Sequence, residues 1–564
     1  MTFDEDRDND CDNDLNTEPF SSPLACGAAG RRCPTSREAP FLKLTVIGAG
    51  AKPSAAQASR HRRRPRPRPR STDPVACSDR MFGRSLLDRN RRPYSSAELT
   101  LSVYKYGLGN IFDKTGRFWE TLFMKRDIQP VLAALLSAPR HRDVVLVEGA
   151  RQVGKSTLVK QVLAEMECPK VAIDLEKDRK IARLIDKTAD FEDFRLLLRD
   201  QCGLKENGSI LFIDEAQECP VLARYVKSFK EDWRGVRVVL TGSSMHRLFE
   251  KDVRIPVGRT KSLCVLPFSF PEFLRCLDET ELADFVATTP ESIPPSRHEH
   301  VLLFYDRYLH AGGYPEAVKA LAAGEAAEPV IDEIVGTLQD DFARKEDYEP
   351  ALFESAIRAI ANHVGSPSKY THLDTTKYAA KQVFAALGAW HLLIEVQPQA
   401  IDPQHSDFLP KRYLHDLGVV NRHRSLAVPA ISLLRTLDPP LRTPLGGLFE
   451  NAVLLNLLEG GSAKKKIGTW RKNAGSTVEV DFVMDAVEMG LKIPVECKAT
   501  LAVKRRHAEG VVDYLRTTRQ PIGVLVTASP LEVIYRGEGC CVLNIPVYLA
   551  SRGNILRYAQ KHVG

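Results

Sequence analysis

Val144–Glu148 is an apolar, β-branched run of the length of a buried strand, and it leads directly into Gly149, Ala150, Arg151, Gln152, Val153, Gly154, Lys155 and Ser156. These eight residues fit the pattern G-x-x-x-x-G-K-[ST] at every fixed position, and Thr157–Glu165 continues with apolar residues at helical spacing. A strand, a glycine loop and a helix in that order form a phosphate cradle. The glycines let main-chain N–H groups curl around phosphate oxygens, and the helix N-terminus adds its partial positive charge. Gly149 to Thr157 are therefore the expected ATP-binding residues. Lys155 is expected to reach the β- and γ-phosphates, and the Ser156 hydroxyl to ligate Mg²⁺.

Two further runs extend this reading. Ser209–Ile213 is apolar and ends in Asp214-Glu215. A carboxylate at the tip of a buried parallel strand can hold the Mg²⁺ shell, and the glutamate beside it can polarise an attacking water. Asp214 is thus the second expected metal ligand and Glu215 the expected catalytic carboxylate. Val236–Leu240 ends in Thr241-Gly-Ser-Ser244, polar groups placed to sense a γ-phosphate. Val171–Leu175 supplies another strand, followed by helical material from Ile181 to Asp200. Strands alternating with helices imply an α/β fold on a parallel sheet, with the nucleotide at the carboxyl ends of the strands.

Composition limits the alternatives. With 43% hydrophobic and 27% charged residues, the 564-residue chain is that of a globular protein with room for several domains. No apolar run approaches the roughly 18–20 residues that span a bilayer, so no membrane partner is expected. The acidic N-terminus is unlike a secretory leader. The twelve cysteines form no C-x-x-C pair, which argues against zinc or dithiol redox chemistry and for a reducing cytoplasm. A net charge of +7 permits a nucleic-acid partner without requiring one.

Residues 1–95 have the composition of disorder: an acidic run from Asp4 to Asp14, then the Arg/Pro alternation of Arg62–Arg70. They read as an unstructured extension or as sequence upstream of the true start, with a nucleic-acid or membrane-surface arm as the alternative. Residues 96–123 are an unassigned linker. A domain start at Met124 opens the ATPase core, 124–264.

Beyond the core come Arg254–Arg259, Leu266–Leu274 and the run Tyr308–Ala317, which contains Gly312-Gly313-Tyr314-Pro315. Together with the Glu148–Thr157 loop, these motifs resemble the prokaryotic AAA-superfamily ATPases of the AAA_14 and DUF4143 families, from about Met124 to the C-terminus. The resemblance implies an AAA+-like ATPase with a helical lid at 265–330, and homo-oligomer formation is compatible with it. In that family Gly258-Arg259 matches a recurring pair. Arg259 could then stabilise γ-phosphate charge, in its own chain or a neighbour's, or be a salt-bridging surface arginine.

Residues 331–430 read as two helices, Ala351–Val364 and Thr375–Leu387, followed by strands Trp390–Gln397 and Lys411–Asp416. That order fits a winged helix-turn-helix, which the resemblance also implies. Lys377 and Lys381 are the basic residues of its second helix; DNA contact and a protein-interaction role both stay open.

From 440 to 564 a second constellation appears. Glu450 lies on the helix Gly446–Leu458, Asp481 on the strand Val478–Met484, and Glu496 and Lys498 on the strand Ile493–Ala499. The two-residue period puts Glu496 and Lys498 on one face. The set looks like a PD-(D/E)xK nuclease site, in which carboxylates bind Mg²⁺ and a lysine orients water. The alternatives are a solvated sheet face and a nuclease-like fold that cleaves nothing. The expectation is therefore a Mg²⁺-dependent ATPase coupled to nucleic acid or a partner. An ATP-gated DNA-binding switch and an ATP-regulated nuclease are the alternatives.

Overall fold

The computed structural model describes residues 125–138, 143–249, 258–346, 349–367, 369–399, 409–460, 467–472, 476 and 478–563. All lie in the compact unit 95–564. The acidic run, the Arg/Pro tract, the linker 96–123 and residues 254–257 fall outside the described residues.

Five strands, β1 (Val144–Glu148), β2 (Lys170–Asp174), β3 (Ser209–Asp214), β4 (Val236–Gly242) and β5 (Thr260–Cys264), form an all-parallel sheet in the order β2-β3-β4-β1-β5. Successive residues of a strand face opposite sides. Val145, Val147, Ile210 and Phe212 accordingly enter one core, while Val144, Leu146, Leu211 and Ile213 enter another. Helices α1 (Gln129–Ser137) and α2 (Lys155–Glu165) contribute to the first core, and α3 (Arg179–Asp186), α4 (Phe191–Cys202) and α5 (Leu222–Glu231) to the second. The expected helical stretch 181–200 is thus two helices, α4 being started by the Asp190 carboxylate on the Asp193 N–H. β5 has no counterpart in the sequence reading. Thr-Lys-Ser-Leu-Cys lacks an apolar alternation, and pairing with β1 makes it an edge strand.

The stretch expected as a lid is helical, and is called the lid below: α6 (Phe270–Cys276), α7 (Thr280–Ala287), α8 (Pro295–Ala311) and α9 (Pro315–Ala322). Next come α10 (Glu328–Glu346), α11 (Pro350–His363) and α12 (Lys377–Ala389). The antiparallel pair β6 (Leu393–Val396) and β7 (Lys411–Leu414) precedes α13 (Leu417–His423) and α14 (Pro439–Leu457). α14 begins seven residues before the Gly446 expected from sequence and runs through Pro444. Gly446 and Gly447 had read as a helix boundary. Gly447 instead allows close packing, since a Cβ there would lie 2.5 Å from the Val364 carbonyl oxygen. Glu450 is consequently in the second half of its helix.

The last region is a six-stranded mixed sheet of order β12-β13-β11-β10-β9-β8. Its strands are β8 (Ile467–Arg471), β9 (Glu479–Ala486), β10 (Leu491–Lys498), β11 (Ile522–Thr527), β12 (Glu532–Gly537) and β13 (Cys540–Pro546). Helix α15 (Glu509–Thr518) packs on one face, and α16 (Arg552–Val563) reaches back to the lid, where Asn554 and Arg557 donate to the carbonyls of Val286 and Ala287. One apolar core runs without interruption from β1 through the lid and middle helices to β10, β11 and β13.

The Gly312–Pro315 motif has a structural use. Gly313 N–H donates to Asp416 (2.8 Å), Tyr314 pairs with His415 (2.6 Å), and a Cβ on Gly312 would strike the Asp416 carboxylate at 2.5 Å. Asp416 also caps α13 through the Val419 N–H. Burial raises Asp416 to about 6, with the N–H groups of Gly313 and Val419 opposing the shift. An acid raised on folding is stabilising only while protonated, so this contribution is lost as pH rises from about 4 to 6. Asp416→Asn is expected to destabilise by about 2 kcal/mol, because an amide cannot accept from both N–H groups. The deficit relative to wild type should narrow between pH 4 and 7 in melting curves, since only the wild type titrates.

Candidate functional site

The phosphate loop spans the carboxyl end of β1 and the start of α2. Gly149 (φ +147°) and Gly154 (φ +91°) adopt conformations that favour glycine, and Gln152 (φ +65°) is left-handed between them. Gly149 also permits a close approach, because a Cβ would sit 2.2 Å from the Val265 carbonyl oxygen. Ala150 and Val153 are buried, whereas Gln152 and Thr157 are exposed. Lys155 is buried and donates to the carbonyls of Gly149 (3.0 Å) and Ala150 (2.7 Å). Burial lowers it to about 8, against the pull of Glu215 and Asp214. A triphosphate would supply the negative charge that this ammonium lacks.

Ser156 donates to Asp214 at 2.8 Å across 58 residues of sequence, and the Thr241 hydroxyl donates to the same carboxylate oxygen. Two expected metal ligands therefore meet, and Thr241 orients the carboxylate. This hydroxyl–carboxylate pair at the mouth of the cradle fits Mg²⁺, which keeps most of its waters and takes few protein ligands. Mg²⁺, if bound, would neutralise phosphate charge, and Ser156 and Asp214 would hold it.

Glu215 follows in a left-handed conformation (φ +52°), gripped by the Gln217 amide at 2.5 Å. Gln217 in turn lies against Gly242 at the end of β4, where a Cβ would clash with its side-chain oxygen at 2.1 Å. Backbone strain of this kind costs of order 1–3 kcal/mol and persists only where the surroundings enforce it.

Arg259 does not join the cluster. The register pairs Val144 with Thr260 and Glu148 with Cys264, so Arg259 stands at the amino edge of the sheet, about 16 Å of strand from the loop. There it pairs with Glu231 at 2.8 Å. Its expected role on the γ-phosphate of its own chain is incompatible with this position, because a parallel strand carries the start and end of β5 to opposite edges.

Four ionisable groups at the site were not foreseen. Arg126 is buried and donates to the Val153 carbonyl (2.9 Å), Glu272 (2.9 Å) and the Leu266 carbonyl (2.8 Å), tying the loop to the lid. From the last turns of α10, Asp341 pairs with Arg151 of the phosphate loop. Lys345 lies 3.7 Å from Glu218, and burial lowers its pKa against the opposing pull of Glu218 and Glu215. His391, beside β6, is 3.5 Å from Glu148, the residue before the loop. Nothing in spacing or periodicity links these residues; their sequence separations run from 27 to 243.

The second constellation also converges. Lys498 contacts Glu496 at 2.5 Å, the Asp481 N–H faces Glu496 at 3.3 Å, and the Cys497 N–H donates to Asp481 at 2.9 Å. Glu450 is brought to the same cluster by a residue not anticipated, Lys411 of β7, which bridges Glu450 (2.9 Å) and Asp481 (2.8 Å). The Tyr413 hydroxyl also donates to Glu450 at 2.6 Å. Burial and the Asp481 charge raise Glu450 to about 7 and Glu496 to about 8. Although burial opposes it, Lys411 and Lys498 hold Asp481 below the usual carboxylate range. The two-residue alternation that puts Lys411 and Tyr413 on one face of β7 was the available sequence signal for Lys411.

Residues 141–274 match a family model described as an AAA domain. Residues 445–548 match DUF4143 and residues 303–429 match DUF8612, each a domain of unknown function. No curated protein matches the sequence. Among solved structures, the chain is similar to the Walker-type ATPase PABY2304 of Pyrococcus abyssi, with 16% identity and a TM-score of 0.35 over 56% of this chain and 99% of that one. It is also similar to the RuvB Holliday junction branch migration motor of Thermotoga maritima (16%, 0.24, 51% and 91%). Cdc6p from Pyrobaculum aerophilum is a further match (13%, 0.22, 52% and 91%). Over 141–274 the chain is thus similar to AAA domains, and its parallel sheet and loop geometry are those of a P-loop NTPase fold. Among the described residues, no helix is long and apolar enough to cross a membrane.

Gly149→Ala is expected to cost about 3 kcal/mol, from overpacking against Val265 and a disfavoured φ, and to abolish ATP binding. Chemical denaturation and calorimetry with ATP measure both.

Proposed function

We propose that this chain is a Mg²⁺-dependent ATPase whose nucleotide state is passed to the helical and C-terminal regions through α10. The observation that carries the ATPase reading is the Ser156–Asp214 hydrogen bond beside the buried Lys155. In this reading the main-chain N–H groups of 149–156 and the Lys155 ammonium bind the phosphates. Ser156 and Asp214 hold the metal, and Glu215 takes the proton of the attacking water. Lys155→Ala is expected to lose ATP binding in calorimetry. Glu215→Gln should keep binding and lower phosphate release by about a hundredfold or more. Wild-type turnover in either variant would remove that residue from the mechanism.

The coupling reading rests on Arg151–Asp341, Lys345–Glu218 and His391–Glu148, which tie the phosphate loop and the strand tips to α10 and β6. Phosphate arriving at the loop competes with Asp341 for Arg151. The charge change is thereby delivered to a helix that shares one core with the middle and C-terminal regions. Nucleic acid is the partner favoured by the exposed Lys377, Tyr378 and Lys381 on α12, an arrangement suited to a phosphate backbone and in keeping with a winged-helix reading of 331–430. Gel shifts of wild type with and without ATP should differ. Asp341→Ala should bind ATP within a few-fold of wild type and lose that difference. Nucleotide-independent DNA affinity in the wild type would refute the coupling to DNA. Arg259 enters this scheme only through a second copy of the chain.

A nuclease reading of 440–564 is supported by the convergence of Glu450, Asp481, Glu496 and Lys498. It needs a divalent cation among carboxylates that Lys411 already bridges.

A further inference from the structure

We infer that Lys411 is a built-in cation standing in the place of a divalent metal in the C-terminal carboxylate cluster, so that β7 holds this site shut. The ammonium sits 2.9 Å from Glu450 and 2.8 Å from Asp481 and is 4% exposed. Each of the three carboxylates already accepts hydrogen bonds from within the cluster. Glu450 Oε1 also accepts from Tyr413, Asp481 Oδ2 from the Cys497 N–H, and Glu496 from Lys498 and the Asp481 N–H. Among the described residues no group of three or more His, Cys, Asp or Glu side chains is arranged to hold a metal ion.

The lysine and the carboxylates come from different parts of the chain. Lys411 belongs to the stretch matched by one family model, 303–429, and the acids to the stretch matched by another, 445–548. Gly365, at the end of α11, closes over the same cluster, where a Cβ would lie 2.7 Å from Glu450 Oε2. The contact is therefore an intramolecular plug, with Lys411 on one side of Glu450 and the Gly365 backbone packed close on another. Withdrawal of β7 would leave Glu450, Asp481 and Glu496 facing one another. Buried like charges are then relieved either by protonation or by a hard cation, for which carboxylate oxygens are the preferred ligands. Glu496 and Lys498 also line a cleft of about 720 Å³ with Arg505, Arg506 and Arg516, so the cluster borders an open, arginine-bearing surface.

The test is Mn²⁺ uptake by nucleotide-free full-length protein, followed by electron paramagnetic resonance and thermal melting. Wild type and Asp481→Asn are expected to take up the same amount of Mn²⁺. Lys411→Ala should gain one additional Mn²⁺ per chain, melt below wild type without metal, and recover part of the loss when Mn²⁺ is added. Asp481→Asn in the Lys411→Ala background should remove both gains. If Lys411→Ala does not fold, Lys411→Gln, which removes the charge but keeps a polar side chain one atom shorter, takes its place. Mn²⁺ uptake by wild type that Asp481→Asn removes would overturn the inference, and so would the absence of any gain in the folded lysine variant. No nucleotide enters the measurement, so its failure is distinct from failure of the ATPase reading.

Discussion

A charge taken out of water must be met by another charge or by a set of hydrogen bonds, and the arrangement of this chain follows from that requirement. The phosphate loop is held by such contacts on three sides. Arg126 ties the Val153 carbonyl to Glu272 and the Leu266 carbonyl, Asp341 takes Arg151, and Asp214 takes Ser156 and Thr241. Each contact reaches a different element: the lid, α10 and the sheet. In the proposed function, a bound nucleotide would change the charge at the point where all three meet. Lys155 is the member whose hydrogen-bond partners are weakest, being two carbonyls rather than a carboxylate, and burial depresses its pKa.

The same requirement shapes the C-terminal region with a different result. There, three acids are gathered by β9, β10 and α14, and two lysines answer them. One lysine is local, on the strand of its partner. The other is delivered from β7 and makes the cluster a joint between regions. Buried ion pairs of this kind contribute little net stability compared with an apolar contact, yet breaking one side leaves an uncompensated charge. The joint therefore restricts which relative positions of β7 and α14 are tolerated. The Gly312–Pro315 motif does similar work at the other end of the middle region. Its two glycines let the chain pass between Phe268 and Asp416, and the Asp416 carboxylate holds the Gly313 N–H.

The local chemistry of this protein was legible in its residues. Gly149 to Ser156 dictate a phosphate cradle because only glycine tolerates the backbone angles and the approach to Val265. Asp214 and Glu215 follow from a buried strand ending in acids. Glu496 and Lys498 share a face because strands alternate. β5 was hidden because an edge strand need not be apolar, and the start of α14 was hidden because glycines that serve close packing look like helix breakers. What only the tertiary structure decided is which distant charges meet. Arg126, Asp341 and Lys411 have no local pattern, since their partners are selected by the packing of elements tens to hundreds of residues apart. The same packing puts Arg259 at the wrong edge of the sheet for its own chain's phosphates. Propensity and periodicity act over a few residues, whereas the pairing of buried charges is settled when whole elements come together, and that is where the sequence alone falls silent.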